Sequence, residues 1–159
     1  MILEKIREKF LDDVVETQEF RGELAAVVHK AVIVDVMKFL KTDPALDFNM
    51  LMDLTAVDYS ALERPGPRFH VVYHLYSLRR GHRVRVKAGV EEADPVIDSL
   101  TGLWPAADWF EREAWDMFGI RFNGHPHLKR ILMYEGFEGH PLRKDYPYNQ
   151  RQPLLVPKN

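Results

Sequence analysis

Glu111, Arg112, Glu113 and Asp116 fall within six residues, flanked by Trp109 and Trp115, and His125, His127 and His140 follow before Pro147. Side chains of these types do three kinds of chemistry. Two carboxylates in one site can share general acid and general base work, which makes Glu111 and Glu113 a candidate pair. Three imidazoles can supply nitrogen ligands to zinc, which makes His125, His127 and His140 the candidate metal set. A guanidinium four residues from two acids can bridge both on one helix face, as Arg112 is placed to do between Asp108 and Asp116.

Spacing weighs against the first two. Residues two apart on a helix point in different directions, so Glu111 and Glu113 are poorly placed for one task. The competing reading is an ionic network that orients the helix against a core and a partner. His125 and His127 straddle Pro126 with neither helical nor strand logic, and no His-Glu-x-x-His pattern is present. Imidazoles in such turns also cap backbone carbonyls.

Elsewhere, His70 and His74 share one strand face, which reads as a half-exposed sheet face. Arg79, Arg83, Arg85 and Lys87 make a basic stripe, but no aromatic ladder accompanies it, and a solvated strand face is expected rather than a nucleic-acid surface. The glycines form neither GxGxxG nor a phosphate loop, and there is no Gly-x-Ser-x-Gly elbow.

The elements that must position these residues belong to a chain of 159 residues, 46% apolar and 29% charged, with net charge −2. That is the composition of one soluble domain with a real core and no global attraction to polyanions. With no cysteine, thiolate-held iron–sulfur clusters, cysteine zinc sites and disulfides are excluded. Met1–Phe10 carries acids and has no continuous apolar run, so neither a signal nor a transit peptide is expected, and no window suits a transmembrane segment.

Ile2, Leu3, Ile6 and Phe10 predict a short amphipathic helix. Strands are predicted at Val14–Phe20 and Glu23–Val28, joined at Arg21-Gly22. A second helix carries Ile33, Val36, Met37 and Leu40 and stops before Asp43-Pro44. Within Phe48–Tyr59, Met50, Leu51, Met52 and Leu54 fit a helical turn, and Thr55–Tyr59 a strand. Phe69, Val71, Tyr73 and Leu75 alternate with His70, Val72, His74 and Tyr76. After a turn at Arg80-Gly81, Val84, Val86 and Ala88 alternate with Arg83, Arg85 and Lys87, the pattern of a hairpin with one face toward a core. Asp94-Pro95 opens a short helix to about Leu103. Asp108 is expected to cap the next helix with Glu111 in a capping box, and Gly119 to end it.

Beyond Gly119 periodicity fades, and five of the ten prolines lie at or after Pro126. From Lys129 onward six cations face three acids, so this part is basic in an acidic chain and suits docking on an acidic surface. The expected fold is α+β: a mixed or mostly antiparallel sheet covered by helices on one face, with an extended C-terminal arm. Residues 1–118 form the domain and residues 119–159 the partner-docking arm. The tail from Tyr148 to Asn159 is expected to be disordered or laid along a partner.

The string Glu111-Arg112-Glu113, two residues, Asp116-Met117-Phe118, six residues, His125, three residues, Lys129, one residue, Ile131-Leu132 resembles the signature of the 30 kDa subunit family of respiratory NADH:quinone oxidoreductase, complex I. Glu138-Gly139-His140-Pro141-Leu142-Arg143-Lys144-Asp145-Tyr146-Pro147 is similar to its C-terminal block. Leu54, Val57, Asp58 and the strand Phe69–Leu78 resemble its N-terminal domain more weakly.

The resemblance implies a structural subunit of the peripheral arm, at the cytoplasmic face of the membrane, with no catalytic residue and no cofactor of its own. FMN, iron–sulfur clusters and quinone would be held elsewhere in the complex. The implied partners are the large hydrogenase-related quinone-site subunit, against which the C-terminal arm packs, and a neighbouring iron–sulfur subunit. Related chains serve membrane-bound hydrogenases and formate hydrogenlyases, so the motif leaves the electron donor open. A stand-alone hydrolase using the three histidines is the alternative from a different class.

Overall fold

The apolar alternation of Phe69–Leu75 and Val84–Val90 makes two adjacent strands once the chain reverses at Gly81, whose φ of 67° lies in the left-handed region. In the computed structural model, which describes residues 1–153, β4 (Phe69–Ser77) and β5 (His82–Val90) pair antiparallel with Tyr73 opposite Val86. Around this hairpin stand α1 (Ile2–Phe10), β1 (Val14–Phe20), β2 (Glu23–Val28), α2 (Ile33–Thr42) and β3 (Met50–Asp58). After it come β6 (Val96–Asp98), α3 (Ala107–Phe118) and β7 (Arg121–Asn123).

The main sheet has the order β1-β2-β5-β4-β3. Its pairs are antiparallel except β2–β5, which is parallel, so the α+β mixed sheet read from the sequence is present. Phe69, Val71, Tyr73 and Leu75 of β4 and Val84, Val86 and Ala88 of β5 face one core. Ile2 and Ile6 of α1, Ile33, Val36, Met37 and Leu40 of α2, and Ala114, Met117 and Phe118 of α3 enter the same core. Arg83, Arg85 and Lys87 lie on the opposite, more exposed face.

Three sequence expectations differ from the structure. Met50–Leu54 is strand, not a helical turn. A β-bulge lies between Leu51 and Asp53, so Leu51 faces Leu75 and Leu54 faces Tyr73 on the same side of the sheet. The inserted residue gives a strand the three-residue apolar spacing of a helix.

Val96–Asp98 is also strand, paired parallel with β7 through Ile97–Phe122, where a helix to Leu103 was expected. Its partner lies beyond α3, so local sequence carries no trace of the pairing. Leu100–Trp104 keeps a single turn, with Leu103 and Trp104 N–H donating to the Leu100 carbonyl. Finally, α3 starts at Ala107, and Asp108 makes no capping bond. Trp104 and Pro105 carbonyls already accept from Ala107 and Asp108 N–H, so Asp108 sits in the first turn, where it favours the helix dipole. Gly119 ends the helix in the left-handed conformation, as read from the sequence, with φ 78° and ψ 17°.

Candidate functional site

The motif helix α3 presents two buried acids in opposite directions. Asp116 is fully buried and is the hub of the following segment. Its Oδ2 accepts from the backbone N–H groups of Ile131 (3.0 Å), Leu132 (2.9 Å) and Met133 (2.9 Å). Its Oδ1 accepts from Arg130 Nη1 at 2.6 Å. Burial pushes the Asp116 carboxyl up, but those amides and the guanidinium outweigh it and hold it below its ordinary value.

Arg130 also donates to the carbonyls of Phe137 (2.7 Å) and Gly139 (3.3 Å), so one ion pair fixes three stretches of arm backbone. Arg112 does not bridge Asp108 and Asp116 as its spacing suggested. Its Nε and Nη2 donate to the carbonyls of Lys129 (3.2 Å) and Arg130 (3.1 Å). The arm backbone, invisible as a partner in a helical-wheel argument, outcompetes the neighbouring acids.

Glu111 points the other way. It is fully buried, with Oε2 accepting from Ser99 Oγ and Oε1 from Leu100 N–H, both at 2.6 Å. No cation pairs with it among the described residues. Burial pushes its carboxyl up to about 7, with Ser99 and Leu100 opposing and the Asp108 charge adding to the rise. Glu113 is exposed, so the two glutamates make no acid/base pair.

The histidines do not converge either. His125 is buried at its side chain, donates through Nε2 to the Asp108 carbonyl at 3.1 Å, and accepts from His127 N–H at Nδ1 at 3.0 Å. It clips the arm to the start of α3. His127 is exposed. His140 Nδ1 donates to the Asp116 carbonyl at 2.9 Å, and burial, more than the nearby Arg143 and Arg130, lowers its pKa. Among the described residues no three His, Asp or Glu side chains are grouped to hold a metal ion.

A second hub was missed by the sequence reading. Asp58 ends β3 at the core-facing parity of Leu54 and Ala56 and is buried. It accepts from Arg68 Nε (3.1 Å) and Nη2 (2.8 Å), and from the N–H groups of Ser60 and Lys144, both at 2.9 Å. Burial opposes ionisation, yet Arg68 and the two amides hold its carboxyl far below the usual carboxylate range. Arg68 in turn grips Asp145 through 2.8 and 3.1 Å contacts and Glu92 at 2.5 Å. The available signal was an acid at a core position in an apolar strand.

Between the hubs the arm lies back on the domain without forming helix or strand beyond β7 among the described residues. Leu142 N–H donates to the Met117 carbonyl at 3.1 Å and Arg143 Nε to that of Phe118 at 2.6 Å. The Gln152 amide accepts from Glu138 N–H at 2.9 Å and donates to its carbonyl at 2.6 Å. Pro141 and Tyr146 are half-buried, with Tyr146 stacked on Phe137. Lys129, Leu132, Leu142, Lys144, Asp145 and Pro147 are exposed, and Ile131 is half-buried. The part of the tail expectation that concerns residues 154–159 lies outside the described residues.

Gly119 is where helix and arm come closest. A Cβ there would sit 2.7 Å from Arg143 Nη2 and from His140, at a φ of +78°. Gly119→Ala is expected to cost about 1–3 kcal/mol, from left-handed strain plus displacement of the arm. Thermal unfolding of the purified chain measures it, and an unchanged midpoint would mean that the arm does not rest there.

The geometry is that of a surface organised by buried ion pairs, and known proteins share the fold that carries it. The family described as the respiratory-chain NADH dehydrogenase 30 kDa subunit matches residues 26–152. The NADH-quinone oxidoreductase C subunit of Roseiflexus sp. is 53% identical over 92% of this chain and 82% of its own length. That of Geobacter sulfurreducens is 48% identical over 90% and 86%. Among solved structures, a trypsin-resistant fragment of Nqo5 superposes with a TM-score of 0.70 at 35% identity, covering 80% of this chain and all of the fragment. A chain of an archaeal membrane-bound sulfane sulfur reductase shares the fold, with TM-score 0.75 at 24% identity over 93% of this chain and 85% of its own length. With a family match across most of its length and relatives near half identical, the chain belongs to the respiratory-chain NADH dehydrogenase 30 kDa subunit family.

Proposed function

We propose that this chain is a structural subunit of the peripheral arm of a proton-translocating NADH:quinone oxidoreductase, docking through its C-terminal arm on the large quinone-site subunit beside an iron–sulfur subunit. The observation that carries this reading is the use made of the motif. Asp116, Arg112, Arg130, His125 and His140 spend their hydrogen-bonding capacity on arm and helix backbone, and exposed Lys129, Leu132, Leu142 and Lys144 are left facing outward. A catalytic centre needs unspent groups converging on a substrate. A docking element needs a rigid backbone presenting apolar and cationic side chains.

Electrons then pass from NADH through FMN and iron–sulfur clusters held by other subunits, and this chain supports that transfer by fixing their arrangement at the cytoplasmic face. No helix among the described residues is long and apolar enough to cross a membrane, which suits a peripheral position.

Native purification with mass-spectrometric identification tests the reading. An NADH-oxidising flavoprotein and the large quinone-site subunit are expected to copurify. Hydrogenase-type catalytic subunits in their place would overturn the NADH link. A Leu132→Asp, Leu142→Asp double variant should lower the amount of assembled complex several-fold while shifting the isolated chain's stability by only about 0.5 kcal/mol per exposed site. Normal assembly with abolished quinone reduction per complex would defeat a purely structural role.

A further inference from the structure

β1 is the outermost strand of the main sheet and pairs only with β2 among the described residues. The two-residue Arg21-Gly22 turn, with φ of 52° and 79°, closes on the Phe20–Glu23 pair. Hydrogen-bonded pairs alternate in an antiparallel ladder, so Phe20 and Gln18 spend their backbone groups on β2, and Thr17 and Glu19 direct theirs outward. Such an edge is a template for another strand unless it is guarded.

Two further features describe what would fit. Val15 and Phe20 of β1 are large apolar residues left 58% and 61% exposed, and Leu11, 71% exposed, lies in the turn that leads into the strand. Asp12, Asp13, Glu16 and Glu19 lie between Leu11 and Phe20 with no cation among them, and none of the four forms an ion pair among the described residues. Beside the edge, a groove of about 310 Å³ between α1 and β1 is lined by Ile2, Leu3, Glu4, Arg7, Thr17 and Glu19 among others. Arg7 lines it along with Glu4 and Glu19.

We propose that β1 accepts an extended segment of a neighbouring chain as a sixth strand, and that this segment carries lysine or arginine on both of its faces together with apolar residues. Main-chain hydrogen bonds to Thr17 and Glu19 supply the docking, and the acids select a basic partner. Self-pairing is disfavoured, because an antiparallel β1–β1 pair would gather both sets of uncompensated carboxylates at one seam. The surface is distinct from the C-terminal arm, and the inference rests on the subunit reading only in requiring a neighbouring chain.

A photo-cross-linking amino acid placed at Val15, in the natively purified complex, tests it. The expected product joins position 15 to an extended segment of another subunit that carries lysine or arginine together with apolar residues. Thr17→Pro removes an outward N–H without touching the β1–β2 ladder and should lower the cross-link yield about tenfold or more. Should that variant fail to fold, the Glu16→Lys, Glu19→Lys pair reverses the charge with the backbone unaltered and should produce the same loss. No cross-link, an acidic or helical segment, a cross-linked dimer of this chain, or a yield unchanged by the folded variant would overturn the proposal. The identity of the copurifying subunits reports separately on the complex itself.

Discussion

Asp116→Ala is expected to lower the stability of the purified chain by about 3–5 kcal/mol, because it leaves a mostly buried Arg130 and three backbone N–H groups without their acceptor. In a domain of this size that is a fall of about 10 °C or more in unfolding temperature. The arm should be released in the same step, so limited proteolysis should cut beyond Gly119 far faster than in the native chain. Asp116→Asn keeps an acceptor for the amides but gives up the charge, and should fall between the two. A midpoint unchanged in both variants would show that the hub does not hold the arm.

The pH dependence carries a sign. The folded pKa of Asp116 is depressed, so its contribution is complete above the unfolded value and is lost as pH falls through the folded one.

Glu111 behaves in the opposite sense. Its folded pKa is about 7 against an ordinary 4.5, so in that interval the native state holds a proton that the unfolded chain has released. Stability therefore falls as pH rises from 4.5 to 7 and levels off above, by a total of about 3 kcal/mol. Glu111→Gln removes the ionisation while its amide can still accept from Leu100 N–H and donate to Ser99 Oγ. The variant should match the native chain near about pH 5 and exceed it in unfolding temperature near about pH 8. Parallel curves for the two proteins across that range would sink the assignment of a proton to this buried acid. Two hydrogen-bond donors reach the carboxyl and no counter-charge does, so the effect comes from burial and not from an ion pair.

Much of the fold was legible because its signals are local. The β4–β5 hairpin, the amphipathic α2 and the Gly119 terminus follow from periodicity and turn chemistry carried within a dozen or so residues. Two of the errors share one origin: a partner distant in sequence. Val96–Asp98 is strand because Arg121–Asn123 arrives beside it, and Arg112 ignores the acids on its own helix because residues 129 and 130 return to it. Leu51 and Leu54 misled for a different reason, since a bulge gave a strand the spacing of a helix.

At the site, Glu111 is buried against Ser99 and Leu100 while Glu113 is exposed, and His125, His127 and His140 meet different surroundings. That Asp116 would take three consecutive amides was beyond any spacing argument. A carboxylate's backbone partners leave no residue-type signature.

The bond from Lys144 N–H to Asp58 joins residues 86 apart, and the Arg68–Asp145 pair spans 77. Closing so long a loop must await nearly the whole chain, whereas the sheet that holds Asp58 is complete by Val90. This end of the arm is thus expected to settle last. Until it does, Asp58 and Arg68 face each other without Lys144 or Asp145, and the far end of the arm lacks its own anchor although Asp116 can already hold residues 131–133. If the arm docks as proposed above, its partner would select finished molecules over half-made ones, and the same clasp would act as a clock on assembly.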